Sequence, residues 1–371
     1  MLCRQWSRSH GTLIHAVRRH QSDTVATMVD QPRIGFLGAG LIATYHSKSL
    51  RHCGAPVERV GVYDSDPRRA ASFADASGHT AMVGEDEVLD SCDAVYICTW
   101  TSEHLRQVQK AAERGLAIFC EKPLAFDLAS VEKMAAMVDE AGVVNQVGLV
   151  LHRSPAYLWA KQLIDDEAAG HVMGIVFRDD QYIPTQGFYE STWRGDRTLA
   201  GSGTLLEHSI HDVDMLRFLI GEIERVSAHT TNFHGHDGIE DVATATVRFD
   251  NGALGTLASI WHDNLARPNS RRVEVFCTRR HIVIEGDDWY GPVSWTDTDG
   301  ESHAMGADRL SDAVVAIRDG SENPDGDFIR SVVAGTPASP DFADAVKAHR
   351  IVEAMYRSAE TSGASIEVGN G

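Results

Sequence analysis

The sequence is short of three things: paired cysteines, long apolar runs and positive charge. Its six cysteines include no C-x-x-C pair, so we expect reduced thiols and a cytoplasmic protein. No stretch of ~18 consecutive apolar residues occurs, so no membrane-spanning segment is predicted. Lysine and arginine total 34 against 53 aspartate and glutamate residues, which gives a formal net charge of −19. This excess of negative charge argues against nucleic acids and anionic membrane surfaces as partners.

The N-terminal segment differs in composition from the rest of the chain. It carries several arginines, serines and histidines, and no acidic residue precedes Asp23. That composition is typical of a mitochondrial presequence. The alternative, which we favour, is a leader included by a mis-called start, with Met28 as the true first residue. In either case we expect residues 1–31 to be disordered.

The remaining length suffices for two domains with sizeable cores. Between Ile34 and Gly148, short apolar runs alternate with amphipathic segments, a pattern typical of a doubly wound α/β sheet. We therefore predict a Rossmann domain over residues 32–150. Its predicted strands are Ile34–Leu37, Val60–Tyr63, Ala94–Cys98, Ala117–Cys120 and Val143–Val147.

Beyond Pro155 the pattern changes to long strands that follow one another closely. Residues 151–371 are predicted to form an α+β domain with a large, open and mainly antiparallel sheet. Residues 297–327 are acidic and are expected to be loop-rich, whereas residues 341–361 predict an amphipathic helix that can pack back on the Rossmann domain. The predicted strands of this half are His171–Arg178, Glu224–Asn232, Asp241–Phe249, Ala253–Trp261, Arg272–Cys277 and His281–Glu285.

A glycine motif directly follows the first predicted strand and opens a helix. Gly38 permits a tight turn, Gly40 lets the backbone approach a pyrophosphate, and Ala43 allows the helix to pack on the strand. The N terminus of that helix offers unpaired N–H groups to phosphates. The alternative is a glycine turn with no ligand. The positions predicted to contact a dinucleotide are Gly38, Gly40, Leu41, Ile42 and Ala43.

An acidic residue, Asp64, ends the second predicted strand at the spacing expected for a ribose-binding carboxylate. A carboxylate there accepts hydrogen bonds from both ribose hydroxyls and repels a 2′-phosphate, which favours NAD over NADP. Arg68 and Arg69 follow closely, and an NADP site that uses them is the alternative to a solvated first helical turn. Thr99, Glu121 and Lys122 also follow strand ends, so we expect them to meet the ligand at the same edge of the sheet.

These motifs together resemble the Gfo/Idh/MocA oxidoreductases, the family of glucose–fructose oxidoreductase and inositol dehydrogenase. The resemblance covers nearly everything from Pro32 onward. It rests on the glycine motif, on residues 98–104 (CTWTSEH), on residues 121–123 (EKP), on residues 201–214 (GSGTLLEHSIHDVD) and on the last helix. The chain departs from the usual family pattern at Glu207, where the family has Asp, and at Trp100, where it has Pro.

The resemblance implies an NAD-binding enzyme with its substrate between two domains, assembled as a homodimer or homotetramer through the second domain. It adds Trp100, Thr101, His104 and Glu121 to the expected cofactor contacts, beside Thr99 and Lys122. His208 and the longer Glu207 together indicate a branch of the family with its own substrate.

Oxidation of a secondary alcohol requires a hydride acceptor, a base for the hydroxyl proton and a group that holds the oxygen. His211 is the predicted base, and Lys122 is predicted to stabilise alkoxide character. Glu207 precedes His211 by four residues, so it is expected on the same helix face, while Asp212 and Asp214 are expected to face elsewhere and to cap or be solvated. The alternatives are a surface Lys122 and a core His211.

A metal is not expected, because the two histidines near Glu207 lack a distant third ligand. The candidate substrate contacts are Arg153, Trp193, Arg194 and His208. The predicted function is hydride transfer between nicotinamide and a secondary alcohol of a sugar, cyclitol or related polyol. An NAD-dependent glycoside hydrolase with transient redox and a non-catalytic dinucleotide-binding regulator are the alternatives.

Overall fold

The computed structural model describes residues 30–187, 191–286, 289, 291–315, 317 and 323–369. The predicted leader therefore lies outside the described residues except for its last two positions. Within the described part of the chain, no helix is both long and apolar enough to cross a membrane.

Six parallel strands of the described chain form a first sheet in the order β3-β2-β1-β4-β5-β6, which confirms the predicted doubly wound sheet. The central strands β4 and β5 are buried at every position, as expected where helices cover both faces of a parallel sheet. The sequence pattern does not predict β3, because two residues are too few to show a period. The strands are β1 Arg33–Leu37, β2 Glu58–Tyr63, β3 Thr80–Ala81, β4 Ala94–Ile97, β5 Ala117–Cys120 and β6 Asn145–Val147.

Five helices connect the strands of the first sheet. Asp66 and Asp127 begin α2 and α5 by accepting a backbone N–H of the first turn, and left-handed Gly78 and Gly142 end the same two helices. In contrast, α1 begins at Gly40 without a side-chain cap. Its first N–H groups, which point to the carboxyl edge of the sheet, therefore have no side-chain acceptor. The helices are α1 Leu41–Ser49, α2 Pro67–Ser77, α3 Glu85–Ser91, α4 Thr101–Glu113 and α5 Leu128–Ala141.

Nine described strands form a second sheet in the order β14-β13-β12-β11-β7-β10-β9-β8-β15. Every neighbouring pair is antiparallel except β7 and β10, so the predicted mainly antiparallel sheet is confirmed. The strands are β7 Val172–Tyr182, β8 Ile223–Thr231, β9 Val242–Phe249, β10 Leu254–His262, β11 Ser270–Cys277, β12 Arg280–Glu285, β13 Val293–Asp297, β14 Ser302–Met305 and β15 Ile366–Glu367.

The expectation of a loop-rich segment over residues 297–327 is wrong in part. β14, all of α9 and the start of α10 lie within it. Asn323 caps α10 and Pro324 occupies its first turn, two start signals that the acidic composition obscured. The helices of this half are α6 Pro155–Asp165, α7 Arg197–Ala200, α8 Ile210–Ile220, α9 Ala307–Val314, α10 Pro324–Ala334 and α11 Phe342–Glu360.

The last two long helices pack against the first sheet although they come late in the chain. Phe328 of α10 contacts the rings of Tyr96 and Phe119 edge to face, with centroids 5.5 and 5.6 Å away. The guanidinium of Arg350 on α11 lies 3.0 Å from Glu132 of α5. Helices α10 and α11 thus pack against the Rossmann half, and α11 also packs against β8 of the second sheet.

Candidate active site

A cavity of about 1150 Å³ lies between the carboxyl edge of the first sheet and strands β7 and β10 of the second. Residues of the glycine motif and of the β4 and β5 ends form one wall. The opposite wall comes from the second half of the chain. The predicted site residues that line this cavity are Gly38, Gly40, Leu41, Ile42, Asp64, Thr99, Trp100, Thr101, Glu121, Lys122, Trp193, Arg194, Glu207, His208 and His211.

The glycine turn has the shape that a dinucleotide requires. Gly38 has a φ of +90°, and a Cβ there would lie 2.6 Å from the Cys98 carbonyl oxygen. A Cβ at Gly40 would meet no atom within 4 Å, so this glycine keeps space open in front of the uncapped helix α1. Ala43 is fully buried and packs α1 on the sheet. Open space and unpaired N–H groups at one point fit the pyrophosphate of NAD.

Asp64 is held in place beside this turn. One carboxylate oxygen accepts the Ala39 N–H at 2.8 Å and the other accepts the Asp66 N–H at 2.9 Å. Arg69 Nη1 lies 3.6 Å from Asp64, whereas Arg68 is almost fully exposed and pairs with Asp66. The end of the cavity beside the glycine turn thus presents a fixed carboxylate with one arginine near it.

The β4 end supplies the next part of the wall. Thr99 Oγ1 donates to Gln107 Oε1 at 2.6 Å, and Trp100 precedes the first turn of α4. His104, expected as a cofactor contact, does not line the cavity but lies buried behind it. Its ring nitrogens face the carbonyl oxygens of Pro123 at 3.0 Å and Thr99 at 3.3 Å. Burial lowers the pKa of His104, so the imidazole is neutral and its single N–H donates to one of these two carbonyl oxygens.

Lys122 reaches from the end of β5 across to the second half of the chain. Its Nζ donates to the backbone carbonyl oxygen of Glu207 at 2.7 Å. Its own N–H donates to Glu121 Oε2 at 3.1 Å. Glu121 Oε1 lies 2.8 Å from the buried ring of His46, whose other nitrogen lies 2.8 Å from Asp325 of α10. The sequence did not indicate this His46 contact, which joins residues 279 positions apart.

Glu207 is a buried carboxylate paired with an arginine. Arg194 Nε donates to Glu207 Oε1 at 2.7 Å, and the Arg194 guanidinium lies 4.5 Å over the ring of Trp193. Burial alone would raise the pKa of Glu207, but the charges of Arg194 and Lys122 outweigh it and lower that pKa. The carboxylate is therefore ionised at neutral pH.

The turn that carries Glu207 is wider than the predicted α-helix. Residues Thr204–His208 form a π-type turn, and α8 begins only at Ile210. The Glu240 carboxylate accepts hydrogen bonds from the N–H groups of Gly203 at 2.8 Å and Leu205 at 2.9 Å. These two hydrogen bonds hold the turn in place. Glu207, His208 and His211 consequently all reach the cavity.

A charged network lies behind the two histidines. His208 Nε2 lies 2.8 Å from Asp179, Arg271 Nη2 donates to the same carboxylate at 2.5 Å, and Arg271 Nε lies 3.2 Å from Asp212. The sequence did not indicate Asp179 or Arg271, which lie on strands β7 and β11. The expectation that Asp212 and Asp214 are capping or solvated is wrong, since both are buried.

The same network has the spacing of a cation site. Ligand atoms of Asp179, His208 and Asp212 lie within 4.8 Å of one another. The Arg271 guanidinium already supplies the positive charge that two carboxylates require, so the donor set fits an arginine pair better than a metal ion.

Arg153 was expected to face the cleft, and this expectation is wrong. It does not line the cavity, and its guanidinium pairs with the buried carboxylate of Asp327 on α10. Its strand-end position suggested a ligand contact, but α10 packs there instead.

Known proteins match the chain over both halves. A family model described as an oxidoreductase family with an NAD-binding Rossmann fold matches residues 32–149, and the GFO/IDH/MocA C-terminal domain model matches residues 157–283. The scyllo-inositol 2-dehydrogenase (NAD(+)) of Bacillus subtilis (strain 168) is 36% identical over 238 residues, 62% of this chain and 67% of that protein. The chain belongs to the Gfo/Idh/MocA oxidoreductase family. The resemblance seen in the sequence is confirmed.

Other relatives of this Gfo/Idh/MocA chain extend the match. The levoglucosan dehydrogenase of Pseudarthrobacter phenanthrenivorans is 25% identical over 377 residues, 88% of this chain and 95% of that protein. A solved levoglucosan dehydrogenase, in complex with NADH and levoglucosan, superposes with a TM-score of 0.80 over 91% of this chain and 99% of that chain. At 22% identity this likeness shows the fold. The protein is an NAD(P)-dependent dehydrogenase that acts on CH–OH groups.

Proposed function

We propose that this dehydrogenase oxidises a secondary alcohol of a sugar, cyclitol or related polyol, or reduces the corresponding ketone. One observation carries the proposal: Lys122, Glu207 and His211 line the same cavity as the glycine turn. The names of the relatives, among them scyllo-inositol 2-dehydrogenase and levoglucosan dehydrogenase, support this substrate class.

Three side chains are proposed as catalytic, each for a physical reason. Bound nicotinamide supplies the hydride acceptor at this site. The Lys122 ammonium stabilises negative charge on the reacting oxygen, and the ionised Glu207 accepts a hydrogen bond from the substrate or orients it. His211, whose pKa is lowered well below its ordinary value by burial and then by the Lys122 charge, is a neutral imidazole and is the proposed base for the hydroxyl proton.

The proposed substrate side has an aromatic and cationic lining. Trp193, Arg194 and His208 are the proposed contacts, and Tyr182 and Trp261 line the same space. Flat rings suit the C–H faces of a sugar or cyclitol, and the nearby donors and acceptors suit its hydroxyls. This lining supports a polyhydroxylated ring as the substrate.

The proposed cofactor contacts are the predicted set without His104, with NAD preferred over NADP because the Asp64 carboxylate, held beside the glycine turn, would repel a 2′-phosphate. We also propose domains at 32–150 and 151–371, a homodimer or homotetramer, and a cytoplasmic location in keeping with the five described cysteines, which are all free.

A panel of cyclitols, aldoses, anhydrosugars and sugar acids with NAD or NADP, followed by absorbance of the reduced cofactor, tests the proposal. We expect NADH to form with at least one polyol, and to form with the Lys161→Ala control, in which an exposed lysine of α6 is removed. Product formation without net NADH would identify the hydrolase alternative. Tight NAD binding with no turnover of any compound would identify the regulator.

A further inference from the structure

The histidine of the first helix has a carboxyl group at each of its ring nitrogens. His46 lies on α1, the helix that begins at the glycine turn, and it is only 4% exposed. Its Nε2 lies 2.8 Å from Glu121 Oε1, and its Nδ1 lies 2.8 Å from Asp325 Oδ1. One buried side chain therefore joins α1 to the residue that follows β5 and to helix α10.

These two contacts determine where the protons of the cluster lie. A neutral imidazole carries a single N–H, so a neutral His46 could donate to only one of the two carboxyl groups. The other carboxyl group would then have to carry the second proton itself. Imidazole is more basic than a carboxyl group, so that proton lies on His46 and both ring nitrogens donate. The cluster therefore consists of one imidazolium between two carboxylates.

The aromatic rings packed on His46 add no charge to this cluster. Tyr96 of β4 and Phe119 of β5 lie with their ring centroids 5.4 and 4.7 Å from that of the imidazole. Burial raises the pKa of Tyr96 well above its ordinary value, so its hydroxyl is neutral. Burial alone would lower the pKa of His46, but the charges and hydrogen bonds of the two carboxylates outweigh it and raise that pKa.

Glu121 connects this cluster to the cavity. It lines the cavity, and its Oε2 accepts the backbone N–H of Lys122 at 3.1 Å. A Cβ at Gly148 would overlap Oε1, so the glycine leaves the space that the carboxylate occupies. The nearby thiols of Cys98 and Cys120 are neutral, because burial and then the Glu121 charge raise their pKa values. Hydrogen bonds thus fix both oxygens of Glu121, one of them to the backbone of the proposed catalytic lysine.

We propose that the His46 imidazolium, held by Asp325, positions Glu121 and through it Lys122 for hydride transfer from the substrate. This inference rests on the proposed dehydrogenase function. His46 and Asp325 are positioning residues, because neither of them lines the cavity. Loss of the imidazolium leaves two buried carboxylates without their cation, so one of them takes up a proton or moves. Either response shifts the backbone that carries the Lys122 ammonium.

Turnover of the variant His46→Gln tests this role. We expect kcat of the folded protein, with folding checked by circular dichroism, to fall by about 10²-fold, the cost of a misplacement of ~1 Å near the reacting atoms. His349→Gln is the matched control and should keep the wild-type kcat, because His349 is equally buried but does not line the cavity. A wild-type kcat in folded His46→Gln overturns the proposal.

The charge balance of the cluster provides a rescue experiment. His46→Gln combined with Asp325→Asn removes one cation and one carboxylate, so the net charge of the cluster is unchanged. The glutamine amide can donate to Glu121 while its oxygen accepts from the asparagine amide. We expect the double variant to recover about tenfold of the lost turnover, because no uncompensated carboxylate remains. A double variant no more active than His46→Gln overturns the proposal.

Asp325→Asn alone provides the test where His46→Gln does not fold. The asparagine still offers an oxygen to His46 Nδ1 but no negative charge, so we expect kcat to fall by about tenfold, less than in His46→Gln. A wild-type kcat in this variant contradicts a positioning role for Asp325 and overturns the proposal.

A further measurement does not depend on turnover. ¹⁵N NMR of the full chain with labelled histidine and bound NAD should show both His46 ring nitrogens protonated at about pH 8, above the ordinary pKa of 6.5 and below the value of about 10 in the folded protein. The signals are assigned by their absence from the double variant. A ring nitrogen without a proton overturns the proposal. Absence of NADH with every polyol refutes the proposed function, whereas wild-type turnover with an unaltered kcat in His46→Gln refutes the positioning role alone.

Discussion

At the scale of single residues, the length and the charge of each side chain decide what it contacts in the cavity. Glu207, where the family usually has Asp, has an arm long enough to place Oε1 2.7 Å from Arg194 Nε while its backbone carbonyl accepts Lys122 Nζ. One residue thereby holds one cation from each half of the chain. We expect loss of either cation to lower turnover more than it lowers the stability of the fold.

The variant Lys122→Ala tests the proposed role of the Lys122 charge in turnover. We expect kcat to fall roughly 10²–10⁴-fold, because the variant removes the charge beside the reacting oxygen. The Kd for NAD, measured by protein fluorescence, should rise only modestly. Lys161→Ala, which removes an exposed lysine paired with Asp165, should leave both quantities unchanged. Near-normal turnover in Lys122→Ala would remove Lys122 from the mechanism.

The fixed carboxylate of Asp64 predicts cofactor preference. We expect NAD to bind at least tenfold more tightly than NADP, about 1.4 kcal/mol, when both are titrated by protein fluorescence. Asp64→Ser should narrow this ratio, because it removes the repulsion of a 2′-phosphate and leaves Arg69 nearby. Equal or reversed affinities in the wild-type protein would mean that Arg69 or Arg68 controls the site.

At the scale of elements, α10 is the helix that links the end of the chain to the dinucleotide side of the cavity. Its Asp325 and Glu121, the residue that follows β5, both contact the His46 ring of α1. His46 is 4% exposed, and burial alone would lower its pKa. The charges and hydrogen bonds of Asp325 and Glu121 reverse this and raise the pKa to about 10.

This raised pKa predicts a stability profile. The folded-state pKa of His46 exceeds the ordinary value of 6.5, so its contribution is complete below pH ~6.5 and is lost as pH rises through about 10. His46→Gln should lower the free energy of unfolding by about 3–5 kcal/mol near pH 6, because two buried carboxylates lose their cation. The difference from wild type should shrink between pH 6.5 and 10 in urea titrations.

His349→Gln is the matched control for this experiment. His349 is equally buried, but burial lowers its pKa to about 4, so it stays neutral across that range. Its stability difference from wild type should not vary between pH 6.5 and 10. A His46→Gln difference that is also constant would show that His46 is not charged in the folded protein.

At the scale of the whole molecule, the second sheet has one face turned to solvent. Leu254, Val176 and Phe276 lie on neighbouring strands of that face and are 61%, 44% and 38% exposed. Apolar side chains exposed together on a broad sheet are typical of an interface between subunits.

We therefore expect a homodimer or homotetramer by light scattering at micromolar concentration. Val176→Asp combined with Leu254→Asp should shift the mass toward the monomer, because charges would then oppose each other across the interface. Val83→Asp, at a 94% exposed valine of the Rossmann half, should leave the mass unchanged. A wild-type monomer would contradict this prediction.

The sequence by itself determined the doubly wound sheet, the antiparallel second sheet, the family and the dinucleotide cofactor. These follow from local patterns, since a buried strand, a glycine turn and a helix each leave a period or a motif within about twenty residues. The prediction that Glu207, His208 and His211 lie near one another also follows from a local pattern, because all three lie within five consecutive residues.

Only the tertiary structure decided which side chains complete the site and which leave it. Asp179 and Arg271 reach His208 across strands far apart in sequence, and α10 brings Asp325 to His46 while its Asp327 draws Arg153 away from the cleft. No local pattern encodes such contacts, because they depend on which elements pack together after folding. Burial then lowers the pKa of His211 and raises that of Asp212, which no spacing along the chain can indicate.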